Sequence, residues 1–337
     1  MKTEILSDKN ESDIKRAAEL IKAGGIVAFA TETVYGLGAD ASNPEAVEKI
    51  FSAKGRPQDN PLIVHLSSAD DTGIYAEPNG LFRKLSDRFM PGPLTVILPR
   101  KQTVCDKVTC GLDTVGIRVP LYLPARKLIK YSGCPIAAPS ANISGKPSPT
   151  KADHVINDMN GKVDCILCGD DCSVGVESTV VKITGPDSLI VCRPGGITVE
   201  MLESVCGSVE TDPAVMSAFS GKPISPGMKY KHYSPTAEVI ILDGTEEQIA
   251  DYLDGKKDFA VICFDEDGLL KKYDDVYILG KRDDAGEQAE RIFDALRTMD
   301  KKPWIKTVYA RMPQTGGVGL AVYNRLIKAA AFRTVTL

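Results

Sequence analysis

Apolar positions along this chain switch between a helical and a strand period. Ile14, Ala17, Ala18 and Ile21 recur at three-and-four spacing, which predicts an amphipathic helix that Gly24-Gly25 ends. Residues 26–30 then read as a short strand running into the polar stretch TETVYGLGAD. Asn43-Pro44-Glu45 supplies an N-cap, a proline at the first helical position and an acid in the first turn. The predicted helix buries Ala46, Val47, Ile50 and Phe51 and stops at Gly55. The rhythm continues with PLIVHL as a strand, LFRKLSDRFM as a helix, and LTVILP and VGIRVP as strands. CPIAAPSAN is an apolar run ending in a polar loop, and Thr150-Lys151-Ala152-Asp153 reads as a capping box. VDCILC, STVVKI and LIVCRP are further strands, with Gly185-Pro186-Asp187 as the turn between the last two. A helix from Thr198 towards Val205 closes the unit at Gly207.

Residues 208–235 change character. Long apolar runs are scarce, and prolines at 223, 226 and 235 argue for an extended segment ending in SPGMKYKHYSP. From Ala237 a second β-α rhythm begins: AEVIIL, DFAVICF, DVYILG and TVYARM are strand-like, AERIFDALRTMD and GLAVYNRLIKAAA helix-like. The pattern predicts an α/β protein of two domains, 1–207 and 236–337, joined by a linker over 208–235. A length of 337 residues agrees, being beyond the size at which a single core stops growing.

Composition narrows the class without naming it. Hydrophobic residues make up 43% and charged residues 26%, ordinary globular values. The net charge of −4 is unlike that of a globally basic nucleic-acid binder, although a sum hides local patches. Nine scattered cysteines form no disulfide framework on count and spacing. The start, MKTEILSDKNESDIKRAAEL, lacks the apolar core of a signal peptide, and no apolar stretch approaches membrane-spanning length. The expected compartment is the cytoplasm, away from any membrane.

Standard nucleotide signatures are missing: there is no P-loop, and no G-x-G-x-x-G follows a strand. GGVG at 316–319 precedes a helix but reads first as a turn. Four other places combine loop formers with groups that grip phosphate or carboxylate. Lys54-Gly55-Arg56-Pro57, followed by Asn60-Pro61 and His65, offers a point charge and a planar fork, or else a helix end with cations at its negative pole. In TVGIRVP, Arg118 lies inside an apolar strand, where it either pairs with an internal acid or meets an anionic ligand. Residues 139–150, PSANISGKPSPT, put hydroxyls, an amide and a lysine on one loop after a strand, where α/β ligands often bind. Glu177-Ser178-Thr179-Val180 and Arg193-Pro194-Gly195 make the fourth. Cys165, Cys168 and Cys172 read as buried structural cysteines, because no second pair completes a metal site. With three histidines a His-rich metal centre is implausible, and His154 is placed on a helix surface. No nucleophile elbow occurs.

The order and wording of TETVYGLGADA, KGRPQDNPLIVH, GPLTVIL, VGIRVP, APSANISGKPSPT, ESTVV and RPGGIT resemble the YrdC-like threonylcarbamoyl-AMP synthases. SPGMKYKHYSP and the C-terminal region resemble the longer, two-domain members. Ala30 and Tyr122 depart from the residues common there. The resemblance implies a YrdC-like twisted mixed-sheet domain with helices and a smaller Rossmann-like α/β domain. It implies that L-threonine, bicarbonate (or CO₂) and ATP give threonylcarbamoyl-adenylate and pyrophosphate for tRNA modification. Thr33, His65, Arg118, Ala138 and Ser178 would surround threonine. Lys54, Arg56, Asn60, Thr114, Ser140, Ser148, Arg193 and Tyr233 would hold ATP, with Lys54 and Arg56 offsetting transition-state charge. No covalent nucleophile is required. Mg²⁺ is expected on the phosphates, with no protein ligand assigned. SPGMKYKHYSP would form a strap over ATP. A separate tRNA threonylcarbamoyl transferase would receive the product, with tRNA itself as a further contact. The competing readings are a carbamoyl-transfer enzyme on the same fold, an RNA-binding module that makes no adenylate, and a nucleotide-sensing regulator.

Overall fold

The computed structural model describes residues 2–217 and 233–337. The larger lobe is built on β1 (Glu4–Ser7), β2 (Val27–Phe29), β3 (Gly36–Asp40), β4 (Ile63–His65), β5 (Leu94–Pro99), β6 (Thr114–Arg118), β7 (Ile136–Ala138), β8 (Cys165–Cys168), β9 (Thr179–Gly185), β10 (Ser188–Arg193) and β11 (Ser208–Thr211). They form one mixed sheet in the order β1-β8-β2-β3-β7-β4-β6-β5-β9-β10-β11. Parallel pairs such as β4–β6 and β5–β9 are interleaved with antiparallel ones such as β4–β7 and β5–β6.

Strand alternation decides which side chains reach the site. Val64, Ile117 and Ala137 of β4, β6 and β7 enter the main core. Their neighbours Ile63, His65, Arg118 and Ala138 therefore face the other side of the sheet and line a cleft there. Because β4 and β6 run parallel in register, His65 stands beside Arg118.

The helix Pro44–Lys54 forms as its sequence predicts. The Asn43 side chain accepts from the amides of Glu45 and Ala46, and Gly55 ends the helix at φ +60° in the left-handed region. Its buried stripe of Ala46, Val47, Ile50 and Phe51 extends one turn further to Lys54. Helical spacing thus carries that ammonium inward.

The smaller lobe contains β12 (Glu238–Asp243), β13 (Phe259–Cys263), β14 (Val276–Ile278), β15 (Thr307–Arg311) and β16 (Thr334–Thr336). All are parallel, in the order β14-β13-β15-β12-β16. Its core continues across the lobe boundary: Val34 and Val176 of the larger lobe pack with Ile292 and Phe293 of the helix Ala285–Asp300. A Cβ on Gly175 would lie 2.2 Å from Glu290 Cα and 2.4 Å from Ala289 O, so backbone meets backbone at this seam.

Three sequence readings are corrected. The larger lobe does not close at Gly207, since β11 adds Ser208–Thr211 to the sheet beside β10 inside the segment read as linker. As an exposed, mostly polar edge strand, SVET carries no apolar signal. His154 is buried, because the helix Ala152–Met159 that bears it is covered by the smaller lobe, where Asp294 Oδ1 lies 2.9 Å from its Nε2. The capping box at 150–153 does not form: the N-cap is Lys151, without a side-chain cap, and Thr150 Oγ1 is buried with no hydrogen bond. Cys165 is buried, Cys168 half-buried and Cys172 buried, all as free thiols.

Candidate active site

The cleft on this second, buried face of β4, β6 and β7 holds about 730 Å³ of empty space, part of it open to solvent. Of the residues assigned from sequence, Lys54, Arg56, His65, Arg118, Ala138, Ser140, Ser148, Ser178, Arg193 and Tyr233 line it. The four motif loops therefore converge. Thr33, Asn60 and Thr114 do not line it. Thr33 is fully buried behind Thr31, its hydroxyl 2.9 Å from that of Thr31. Asn60 is buried and contributes its carbonyl, which accepts from Arg56 Nη2 at 3.1 Å. Thr114 starts β6, at the opposite end of the strand from Arg118.

One end of the cleft suits a small zwitterion. Arg118 Nη2 donates to Glu32 Oε1 at 2.8 Å, while Arg118 Nε and Glu32 Oε2 are buried without a hydrogen bond among the described residues. Of the two alternatives read from the sequence, the internal acid is present, and the Nε–H of the guanidinium is not engaged by it. Beside it, burial and then the Arg118 charge push His65 down to about 3, so its imidazole is neutral near pH 7. Its Nδ1–H donates to the Ile63 carbonyl at 3.1 Å. On the far wall, Ser178 Oγ is 2.8 Å from Thr95 Oγ1.

The other end is cationic. Lys54, Arg56, Lys146 and Arg193 line it with the hydroxyls of Ser140, Ser144 and Ser148. Lys54 is engaged from below, its ammonium donating to the carbonyls of Ser140 and Asn142. Burial, with the Arg56 charge, lowers its pKa well below the lysine range. It braces the PSAN loop from inside. Asn142 completes that loop by accepting from Ser140 Oγ and donating to the Ile143 and Lys146 carbonyls at 2.8 and 2.9 Å. Arg56 is held by the carbonyls of Asn60 and Pro61, and burial brings it down to about 10. Arg193 Nε donates to Ser178 O at 3.1 Å and its Nη2 to Ser178 Oγ at 3.2 Å. Arg56 and Arg193 are preoriented by neutral carbonyls and a hydroxyl, which leaves their charge for an anionic ligand.

Of the strap segment 225–235, residues 225–232 lie outside the described residues. Tyr233 lines the cleft with φ +63°, its ring 5.2 Å from that of Phe293. Ser234 N donates to the Gly145 carbonyl and its hydroxyl to the Ala329 carbonyl, tying the PSAN loop to the smaller lobe.

A family profile described as "Telomere recombination" matches residues 19–195, and one described as "Threonylcarbamoyl-AMP synthase, C-terminal domain" matches 197–331. A Bacillus subtilis threonylcarbamoyl-AMP synthase is 45% identical over 335 residues, covering 97% of this chain and 95% of the relative. The chain belongs to the threonylcarbamoyl-AMP synthase family. A Pyrococcus abyssi member is 44% identical over 337 residues, with 96% of each chain covered. The crystal structure of P. abyssi Sua5 complexed with L-threonine superposes with a TM-score of 0.92 at 43% identity, covering 100% of both chains. The two-lobed α/β architecture is that of the long members.

The sequence reading singles out neither Glu32, which holds Arg118, nor the last-helix residue Arg325, which reaches Glu177. The signal for Glu32 was Arg118 itself, since a buried guanidinium requires an acid. Arg325 had a signal too, because it falls on the apolar stripe of its helix, one turn from Ala321 and from Ala329.

Proposed function

We propose that this chain condenses L-threonine, bicarbonate (or CO₂) and ATP into threonylcarbamoyl-adenylate and pyrophosphate. The observation that carries this reading is the meeting of Arg118, Ser140, Ser178 and Arg193, from four distant segments, in one cleft. Likeness over the full length to a protein solved with L-threonine supports the amino-acid half, and the cation-lined end supports the nucleotide half.

The free Nε edge of Arg118 would take the threonine carboxylate, with Glu32 holding the other side of the fork. Neutral His65 adds no positive charge beside the amine that must react. With bicarbonate, the amine nitrogen bonds to carbon and water leaves; with CO₂, a proton leaves. A carbamate oxygen then attacks the α-phosphorus, the α–β anhydride bond breaks and pyrophosphate departs. Arg56, Lys146 and Arg193 offset the charge growing on that leaving group. No side chain needs to form a covalent intermediate, so positioning and electrostatics carry the rate.

The described residues contain no group of three or more His, Cys, Asp or Glu side chains able to hold a metal. Among the described residues Glu177 is the one acid lining the cleft, and it is committed to Ser148 and Arg325. The described residues therefore offer no metal cage, and Mg²⁺ would come and go with the triphosphate. No described helix is long and apolar enough to cross a membrane. The cysteines, carried as thiols, suit a reducing compartment, and we place the reaction in the cytoplasm. The product would pass to a separate transferase acting on tRNA.

Purified chain incubated with ATP, labelled threonine and bicarbonate should release pyrophosphate and a labelled adenylate only when all three are present. ATP that binds but is not consumed in the complete mixture would refute the reading.

A further inference from the structure

The last helix, Gly319–Ala329, sends one side chain out of its own lobe. Arg325 has no exposed surface, and every nitrogen of its guanidinium is used. Nε donates to Glu177 Oε2 at 2.8 Å, Nη1 to Pro194 O at 2.8 Å and Asn324 Oδ1 at 3.0 Å, and Nη2 to Glu177 O at 3.3 Å. Glu177 and Pro194 immediately adjoin the cleft residues Ser178 and Arg193. Their two loops touch: a Cβ on Gly195 would lie 2.4 Å from Thr179 N and 2.5 Å from Glu177 O. The remaining Glu177 oxygen, Oε1, accepts from the Ser148 hydroxyl. One guanidinium therefore stands behind three segments that wall the cleft.

Its charge matters as much as its fork. Burial pushes the Glu177 carboxyl upward, but the Arg325 and Arg193 charges and the Ser148 and Arg325 hydrogen bonds outweigh it and hold the group down to about 2. Glu177 is thus a carboxylate at neutral pH. Without Arg325 that carboxylate would confront a triphosphate and draw on Arg193 as its nearest remaining cation.

We propose that Arg325 is a positioning residue for the nucleotide site: the smaller lobe completes the cleft by neutralising Glu177 and fixing Ser148 and Arg193 to receive the phosphates. The proposal rests on the ATP reading above and does not require the condensation step.

Lobe docking alone does not account for this placement, because the seam has other contacts. Arg297 donates to Asp158 Oδ2 at 2.7 Å and to Pro147 O at 2.6 Å, and Lys151 and His154 both reach Asp294 at 2.9 Å. Asp294 lies outside the cleft lining and serves as the docking control.

The test is ATP and threonine binding by calorimetry on the full chain, with melting temperatures, for R325Q, R325K, R325Q/E177Q and D294N. R325Q should weaken ATP by about tenfold or more while threonine affinity shifts far less. R325Q/E177Q should regain part of the lost ATP affinity, since it removes the uncompensated carboxylate. D294N should lower the melting temperature with ATP affinity kept. The proposal is overturned if R325Q keeps ATP affinity, if ATP and threonine weaken together in step with a fall in melting temperature, or if the double variant regains nothing. Should R325Q fail to fold, R325K and the double variant are judged by the same ATP-against-threonine split. A wild-type chain that binds ATP yet makes no adenylate would remove the synthase reading and leave this one standing, and one that binds no ATP would remove both.

Discussion

Glu32 and Arg118, 86 residues apart, meet at 2.8 Å with 3% and 5% of their side chains exposed. A buried guanidinium is held in place only by an acid that is itself fixed. Here the acid comes from the loop between β2 and β3, so the TETVYG motif fixes Arg118 through Glu32. E32Q preserves a hydrogen-bond acceptor and removes the charge. It should raise the KM for threonine by about tenfold, the scale of a hydrogen bond to a charged group, with a smaller change in kcat. Steady-state pyrophosphate release against threonine concentration measures it. An unchanged KM would mean that Glu32 merely balances charge.

Lys54 predicts a different outcome from that of a phosphate-binding lysine. Its ammonium is spent on the Ser140 and Asn142 carbonyls. K54M leaves the buried Asn142 carbonyl and the half-buried Ser140 carbonyl without this donor, at a cost of about 1–3 kcal/mol for the buried one, and should loosen the PSAN loop. ATP affinity should fall by about tenfold or more, together with faster proteolysis near residues 139–150. Lost affinity with an unaltered cleavage rate would return Lys54 to direct phosphate contact.

Gly195 admits no side chain. G195A sets a methyl group against the Thr179 amide and the Glu177 carbonyl, both backbone, so relief requires moving a loop. Overpacking of this kind destabilises by about 1–3 kcal/mol. Denaturant midpoints should record that loss, and nucleotide binding should weaken because Ser178 and Arg193 are displaced. A midpoint equal to wild type would show that the two loops yield easily.

His65 sets an acid limit on stability. Its folded-state pKa lies at about 3, against an ordinary value of 6.5, so the unfolded chain takes up its proton first as pH falls. The contribution is full above pH 6.5 and is lost progressively as pH drops toward 3. H65Q, which cannot titrate, should flatten the stability profile across that window, as read by denaturant unfolding at a series of pH values. Parallel profiles for the two proteins would contradict the burial of an uncharged ring.

Local chemistry was legible in the sequence; long-range pairing was not. Asn43, Pro44 and Gly55 announce their helix because a cap, a fixed φ and a left-handed stop act within a few residues. Arg118 announces itself as a charge that needs a partner, but nothing near it in the chain names Glu32. The same limit hid Arg325 behind Glu177, 148 residues away. His154 was misplaced because its covering surface belongs to the other lobe. The edge strand Ser208–Thr211 was missed because an exposed edge lacks the apolar alternation that marks strands. Thr150 shows the reverse error, a cap motif whose hydroxyl the surrounding packing turns elsewhere.

The seam at Gly175 bears on how such chains can be recombined. Because main chain rests on main chain there, with Val34 and Val176 inserted among side chains of the smaller lobe, the two halves are not interchangeable cassettes. A chimera that imports its second half from another long member must inherit a matching notch as well, or the graft will stand off and leave a carboxylate stranded in the wall of the cleft.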